Sequence, residues 1–303
     1  MHTLKCIVAT LLVGLCMQAP AAEVALSGFS PLYVGVDHAT AIVPSNPSST
    51  GAPLTSRAYI VRVNLRAPGI AFTATPQSGP LETTSETTSQ FATNMRVRVA
   101  VNTNFFAPCC NAFPEPKNVI GTLISNGQVV SAPGSEPGQS EAVLALTRHN
   151  RATIADVSEI DFSNVHTAVA GSAIIVKDGV DTSAQSPPQG DPNNPNPRTL
   201  AGLSADGRHL YLAVIDGRVT GYSIGTTHAQ SAALMLALGC DDALNLDGGG
   251  SSELVRADKL GRPFIVNNPS GGAERFSAAA LGVHAFPLPF RGARHDGQSM
   301  DAW

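Results

Sequence analysis

The densest chemistry in this chain lies in eleven residues, Asp242-Ala243-Leu244-Asn245-Leu246-Asp247-Gly248-Gly249-Gly250-Ser251-Ser252. The apolar run from Ala243 to Leu246 reads as a short strand that delivers one carboxylate, Asp247, to its end. Gly248, Gly249 and Gly250 follow, then the hydroxyls of Ser251 and Ser252. Consecutive glycines cost backbone entropy and provide no side chains to pack. They suit a backbone that turns through positive φ or lies against a ligand, its N–H groups free to meet an anion. A carboxylate beside such amides could serve acid, base or nucleophilic chemistry on an anionic substrate. The plain alternative is a Gly-rich turn between two strands.

Three further places carry candidate chemistry. Asp216-Gly217-Arg218 closes the strand pattern of His209 to Ile215, although an Asp-Gly after a strand is by itself more often a turn than an acid. Asn102-Thr103-Asn104 closes the pattern of Arg96 to Val101; the asparagines tolerate left-handed geometry and can present amides to a polar ligand. There the alternative is an Asx-type turn, with Phe105 and Phe106 as core anchors. Arg198-Thr199 emerges from residues 182–197, a Pro- and Asn-rich stretch that cannot be regular structure. A loop of that length within a domain is commonly functional or disordered; it suggests the border of a cleft, and the plain alternative is a flexible excursion.

The elements that must position these groups are mostly short strands. Gly, Pro, Thr and Ser abound, and turn signals recur, as expected of a β-rich mixed α+β domain. Strands are predicted at residues 58–65, 96–101, 121–124, 129–130, 142–146, 165–170, 173–176, 200–204, 209–215, 253–256, 264–266 and 278–284. Asn126-Gly127 is the strongest hairpin signal, and residues 69–75 read as the hairpin partner of the first strand. A short helix is predicted from Glu86 toward Met95. A clearer one runs from His228 to Leu238, capped by Thr226 or Thr227 and stopped by Gly239. The expected core collects Val99, Val101, Phe106, Leu212, Val214, Leu236, Leu244 and Leu246. Residues 23–56 read as irregular.

Composition bounds the partners. The net charge is −4, and no basic stripe with interleaved aromatics occurs, which argues against nucleic acid. Lys5, the apolar run Ile7 to Met17 and Ala19-Pro20-Ala21 read as a signal peptide over residues 1–22, with cleavage near Ala21 or Ala22. No later stretch approaches transmembrane length. The expected protein is therefore exported, periplasmic or extracellular. Cleavage would remove Cys6 and Cys16 and leave Cys109, Cys110 and Cys240, an odd set. Export permits a disulfide, expected between Cys240 and Cys109 or Cys110. No CxxC or HxxxH spacing points to zinc. Nor does a sequence-local loop support a cation among Asp216, Asp247 and Asn245. Neither metal nor cofactor is expected.

Several of these pieces stand in an order that resembles the phosphodiester glycosidase family, which includes the lysosomal uncovering enzyme and many bacterial secreted proteins. They are Val99 to Phe106, Ala170-Gly171-Ser172 with Lys177-Asp178-Gly179, Arg198 to Gly202, Val214 to Arg218, Ala243 to Ser252, Val266-Asn267-Asn268-Pro269 and Glu274-Arg275. The chain departs from many members at Thr103-Asn104, where they carry Gly-Gly or a similar pair, a difference that bears on the choice of sugar. The resemblance covers roughly residues 92–285, within an expected glycosidase-like domain over residues 57–286; the polar, Gly-containing end of the chain reads as a flexible tail at 287–303. The implied activity is hydrolysis of a sugar-1-phosphodiester, of the N-acetylglucosamine-1-phosphodiester kind.

For that reaction Asp247 and Asp216 are the expected catalytic acids. Arg198, Arg218 and the amides and hydroxyls of Gly248, Gly249, Gly250, Ser251 and Ser252 would stabilise charge. Asn102, Asn104, Thr199 and Asn245 would complete the substrate site. Two other readings are a hydrolase of phosphate-free envelope or extracellular polysaccharide and a non-catalytic carbohydrate-binding protein.

Overall fold

The strand His209–Ile215 shows how this sequence builds its centre. Leu210, Leu212 and Val214 enter one buried apolar cluster, and Tyr211, Ala213 and Ile215 enter another. A strand covered on both faces reads as a continuous apolar run, with no polar face to alternate against. Its neighbours behave alike: Leu200 and Ala243 lie on one side, Ala201, Leu203 and Leu244 on the other.

A computed structural model of the chain describes residues 23–44, 54–134, 141–188 and 190–289. The expected signal peptide, the loop residues 45–51 and residues 290–303 of the expected tail lie outside the described residues. Within them, the chain folds as one strand-rich α+β domain. The main sheet runs Ala25–Leu26, Val36–Pro44, Thr55–Asn64, His209–Ile215, Arg198–Ser204, Cys240–Asn245, Ala173–Lys177 and Val180–Asp181, with Ser30–Tyr33 added to Val36–Pro44. A second sheet orders Gln128–Ser131, Leu123–Ser125, Val165–Gly171, Ala142–Thr147 and Ala152–Asp156. A third orders Pro263–Ile265, Leu254–Ala257, Val99–Asn102, Ala280–His284 and Ala71–Ala74. The pairings in these sheets are antiparallel.

Two α-helices cover outer faces. The first, α1 (Thr88–Met95), starts at Thr87, whose side chain accepts from Gln90 N while the Gln90 side chain accepts from Thr87 N. It packs Phe91 and Ala92 against Val97, just before the third sheet, and against Ala100, Val255 and Ala280 within it. The second, α2 (His228–Ala237), has the same reciprocal cap at Thr227 and Gln230. It buries Ala232, Leu234 and Met235 on the main sheet and stops at Gly239, whose φ is +83°. No helix among the described residues is long and apolar enough to cross a membrane.

Four expectations are corrected. Residues 23–56 are not irregular: Val36–Pro44 pairs along its whole length with Thr55–Asn64, and a boundary at residue 57 would cut that second strand. The buried alternation there rests partly on Ala39 and Ala41, too small to stand out among Pro, Ser and Thr. The segment expected to pair with the first strand forms Ala71–Ala74 and pairs with Ala280–His284. Both edges of Thr55–Asn64 are already taken, by Val36–Pro44 and His209–Ile215. Of the expected core residues, Leu236 is only partly buried, at the edge of the α2 contact. Finally, Cys109 bonds to its neighbour Cys110, while Cys240 is a buried free thiol. Cys240 faces Gly202 and Met235 within the layer between sheet and helix, and burial pushes its thiol pKa up.

Candidate active site

Antiparallel pairing puts the start of one strand beside the ends of its neighbours, and the candidate residues meet at one end of the main sheet. Arg198 pairs with Ile215, so the strand that begins at Arg198 lies beside the exit toward Asp216; Leu200 pairs with Asn245, on the way to Asp247. Beyond Asn245 the chain leaves this sheet. Leu246 N still donates to Thr199 O (2.9 Å), but Asp247 N donates to Thr103 O (2.7 Å), beyond the end of a third-sheet strand. Asp247 therefore stands where two sheets meet.

The three glycines have distinct physical reasons. A Cβ on Gly248 would lie 2.7 Å from Pro197 O. Gly249 has φ +61°, and its Cβ would lie 3.1 Å from Arg218 Nη2; a Cβ on Gly250 would collide with the Arg275 guanidinium. Two cations thus lie directly against this backbone. With Phe105, Gly190, Asp191, Asn196, Arg198 and Asp247 they line a cleft of about 240 Å³. Burial raises the Asp247 pKa to about 6, against the lowering effects of the Ser251 hydroxyl, Arg275 and the Gly248 amide. A partly buried carboxyl that feels the Arg275 guanidinium, in a cleft that Arg218 also lines, can exchange a proton near neutral pH while anionic charge is held next to it.

Most of the other expected ligands are braces. The Asn102 side chain donates to Asp247 O (2.7 Å) and accepts from Thr199 Oγ1 (2.6 Å) and Glu253 N (3.0 Å). It thereby ties three segments to the peptide of Asp247. Asn104 Nδ2 donates to the carbonyls of Ile120 and Thr122, and its Oδ1 accepts from Ala170 N. Asn245 donates to Ser172 Oγ and Leu246 O beneath Gly190. Ser252 is buried, and its carbonyl accepts from Asn267. Ser251 reaches both Asp247 and Arg275 (3.5 Å).

Arg198 and Asp216 are placed differently from what their sequence positions suggest. Arg198 lines the cleft, yet four of its N–H groups are engaged: Nε on Thr226 O, Nη1 on Gly190 O, and Nη2 on Asp191 O and Asn194 O. It folds the 190–194 loop around itself. The main-chain N–H of His228 adds a bond to Pro192 O and its ring one to Ser186 Oγ, pinning the same loop to α2. Asp216 is not among the cleft-lining residues. Its carboxylate accepts from Asn267 Nδ2 (3.0 Å), Asn268 N (2.9 Å) and Tyr222 Oη (3.0 Å), and burial raises its pKa despite these donors. The physical reason is local: after Ile215 the carboxylate turns toward the loop that follows Pro263–Ile265.

Sequence reasoning missed Arg275, Asp191 and Asn196 as lining residues. Arg275 stood in a matched motif, but nothing in its neighbours announced a cleft. Asp191 and Asn196 lie in the Pro- and Asn-rich loop, whose composition marks a loop without marking which residue faces inward. Asn196 accepts from Arg218 Nη2 (2.8 Å) and donates to Asp191 Oδ2 (2.9 Å), forming a chain across the cleft wall. The Asn194 and Asn196 amides hold the Asp191 carboxyl below its ordinary pKa. Among the described residues, no group of three or more His, Cys, Asp or Glu gathers to hold a metal.

The family model for phosphodiester glycosidases matches residues 95–284 of this chain. A protein derived from prophage SPbeta in Bacillus subtilis, YomE, is 38% identical over 101 residues, which are 33% of this chain but only 15% of that protein. Among solved structures, a similar one is the zebrafish N-acetylglucosamine-1-phosphodiester alpha-N-acetylglucosaminidase catalytic domain, auto-inhibited by its pro-peptide. It superimposes with a TM-score of 0.64 at 20% identity, covering 87% of this chain and 88% of that one. A Burkholderia pseudomallei protein described as exported gives 0.59 at 14% identity, over 92% and 99% of the two chains. At these identities the structural likenesses show the shared fold.

Proposed function

The chain belongs to the phosphodiester glycosidase family, and from that membership we propose that it is an exported hydrolase cleaving the glycosidic bond of a sugar-1-phosphodiester. The observation that carries this reading is the placement of Arg218 and Arg275 against Gly249 and Gly250, in the cleft that the partly buried carboxyl of Asp247 also lines. A phosphodiester is already a good leaving group and needs charge stabilisation more than protonation. The two guanidinium groups are suited to the phosphate, whereas the Gly249 amide is already spent on Pro197 O and that of Gly248 on Asp247. Asp247, as the ionised carboxylate, takes a proton from the water that attacks the anomeric carbon. The bond from that carbon to the phosphate oxygen breaks, and the phosphate leaves as a monoester on its partner. Phe105 offers a ring against which a sugar face can rest. Asp216, Asn102, Asn104, Thr199, Asn245 and Ser252 position the machinery; Arg198 shapes the loop above it. Export rests on the signal pattern of residues 1–22.

The test is product analysis of the mature protein on a panel of sugar-1-phosphodiesters and phosphate-free glycosides. Free sugar is expected from the phosphodiesters alone, with kcat/KM rising with pH through about 6 as Asp247 ionises. Asp247→Asn should lower turnover by roughly 10²–10⁴-fold. Cleavage of phosphate-free glycans would move the protein to polysaccharide breakdown. Sugar binding without turnover on any substrate would leave a recognition module.

A further inference from the structure

Behind the cleft lies a pair of acids that the proposed reaction does not use. Glu253, immediately after the serines of the glycine motif, is 2% exposed. Its main-chain N–H donates to Asn102 Oδ1, the same side chain that holds the Asp247 carbonyl. Its carboxyl lies within hydrogen-bond reach of the Glu274 carboxyl, which in turn accepts from Ser89 N in the first turn of α1 (2.9 Å). Glu274 is the residue before Arg275, whose guanidinium rests on Gly250.

Two carboxyls in such contact, Glu253 buried and Glu274 partly so, cannot both be ionised without strong repulsion, whereas one proton between them makes a hydrogen bond. Glu253 Oε1 is also sealed from solvent with no donor to meet it, a costly arrangement for a carboxylate and an ordinary one for a neutral carboxyl. The groups facing Glu253 are Glu274, from the 267–277 segment, and the uncharged Thr88 of α1. We infer that Glu253 and Glu274 share one proton, and that this proton fastens the segment carrying Arg275 to Glu253, directly after the glycine motif, so that Arg275 stays against that motif. Glu253 is thus a positioning residue. Burial first, then the Glu274 charge, raises its pKa to about 9, so the proton is in place at neutral pH and lost in alkaline solution.

The shared proton is independent of the proposed function; the consequence for Arg275 as a phosphate ligand rests on it. The experiment separates the two. Thermal unfolding is followed from pH 5 to 10 for the wild type, E253Q and E274Q. A group whose pKa is raised on folding gives stability that is complete below its unfolded pKa and lost as pH rises through its folded value. The wild-type melting temperature should therefore fall between about pH 5 and 9. E253Q, whose amide donates to Glu274 at every pH, should show a flatter profile, as should E274Q. Parallel profiles in all three proteins would overturn the shared proton.

Calorimetric titration with inorganic phosphate gives the second readout. Wild-type affinity should drop on the order of tenfold between pH 7 and 10, while E253Q holds its affinity. An equal drop in both would overturn the link to Arg275. Absence of phosphate binding at pH 7 would overturn that link together with the phosphate reading of the cleft, with the melting profiles still deciding the proton.

Discussion

At the scale of single residues, the site turns on what glycine leaves room for. Arg275 can lie on Gly250 only because there is no Cβ. Gly250→Ala is therefore expected to push the guanidinium out of the cleft and lower kcat/KM for a phosphodiester by roughly 10–100-fold. Because the φ of Gly250 is outside the left-handed region, the melting temperature should move little; steady-state kinetics beside thermal unfolding checks both. A large loss of stability with kinetics intact would count against the close approach. This much was half legible in the sequence. A run of glycines after a strand announces close approach of something to backbone. It does not say that the something is Arg275, twenty-five positions on in the chain.

At the scale of elements, the 186–197 loop decides the shape of the cleft, and Arg198 decides the shape of the loop. Its planar fork meets four carbonyls from two segments, a set that the point charge of a lysine cannot reproduce. Arg198→Lys should cost about 2–4 kcal/mol in urea unfolding, from lost charge-assisted hydrogen bonds, and should open the loop to limited proteolysis. Unchanged stability and protease resistance would mean that His228 and the prolines hold the loop without it. The sequence marked this stretch correctly as a loop bordering a cleft, from its prolines and asparagines. It read Arg198 as a substrate ligand, because an arginine at a strand start looks the same whether its donors face a phosphate or the protein's own carbonyls.

At the scale of the whole molecule, Asp216 joins the main sheet to the segment following the third. It closes His209–Ile215 and receives the donors of Asn267 and Asn268, beyond Pro263–Ile265. Asp216→Asn places an amide among donors and should cost about 1–3 kcal/mol of stability, with a smaller loss of kcat/KM than Asp247→Asn. Denaturant unfolding and kinetics on both variants would check this. An Asp216 variant as stable as wild type but as inactive as Asp247→Asn would return Asp216 to the chemistry. Local pattern was enough for the strand-rich α+β class, the Asn126-Gly127 hairpin, both helices and the placement of Asp247 at a strand end, because turn chemistry, caps and side-chain periodicity act over a few residues. Tertiary structure alone decided which edges pair, which cysteines meet, and which of two Asp residues at strand ends faces the cleft. Those outcomes depend on where distant segments arrive, and a carboxylate's role is set by the donors around it.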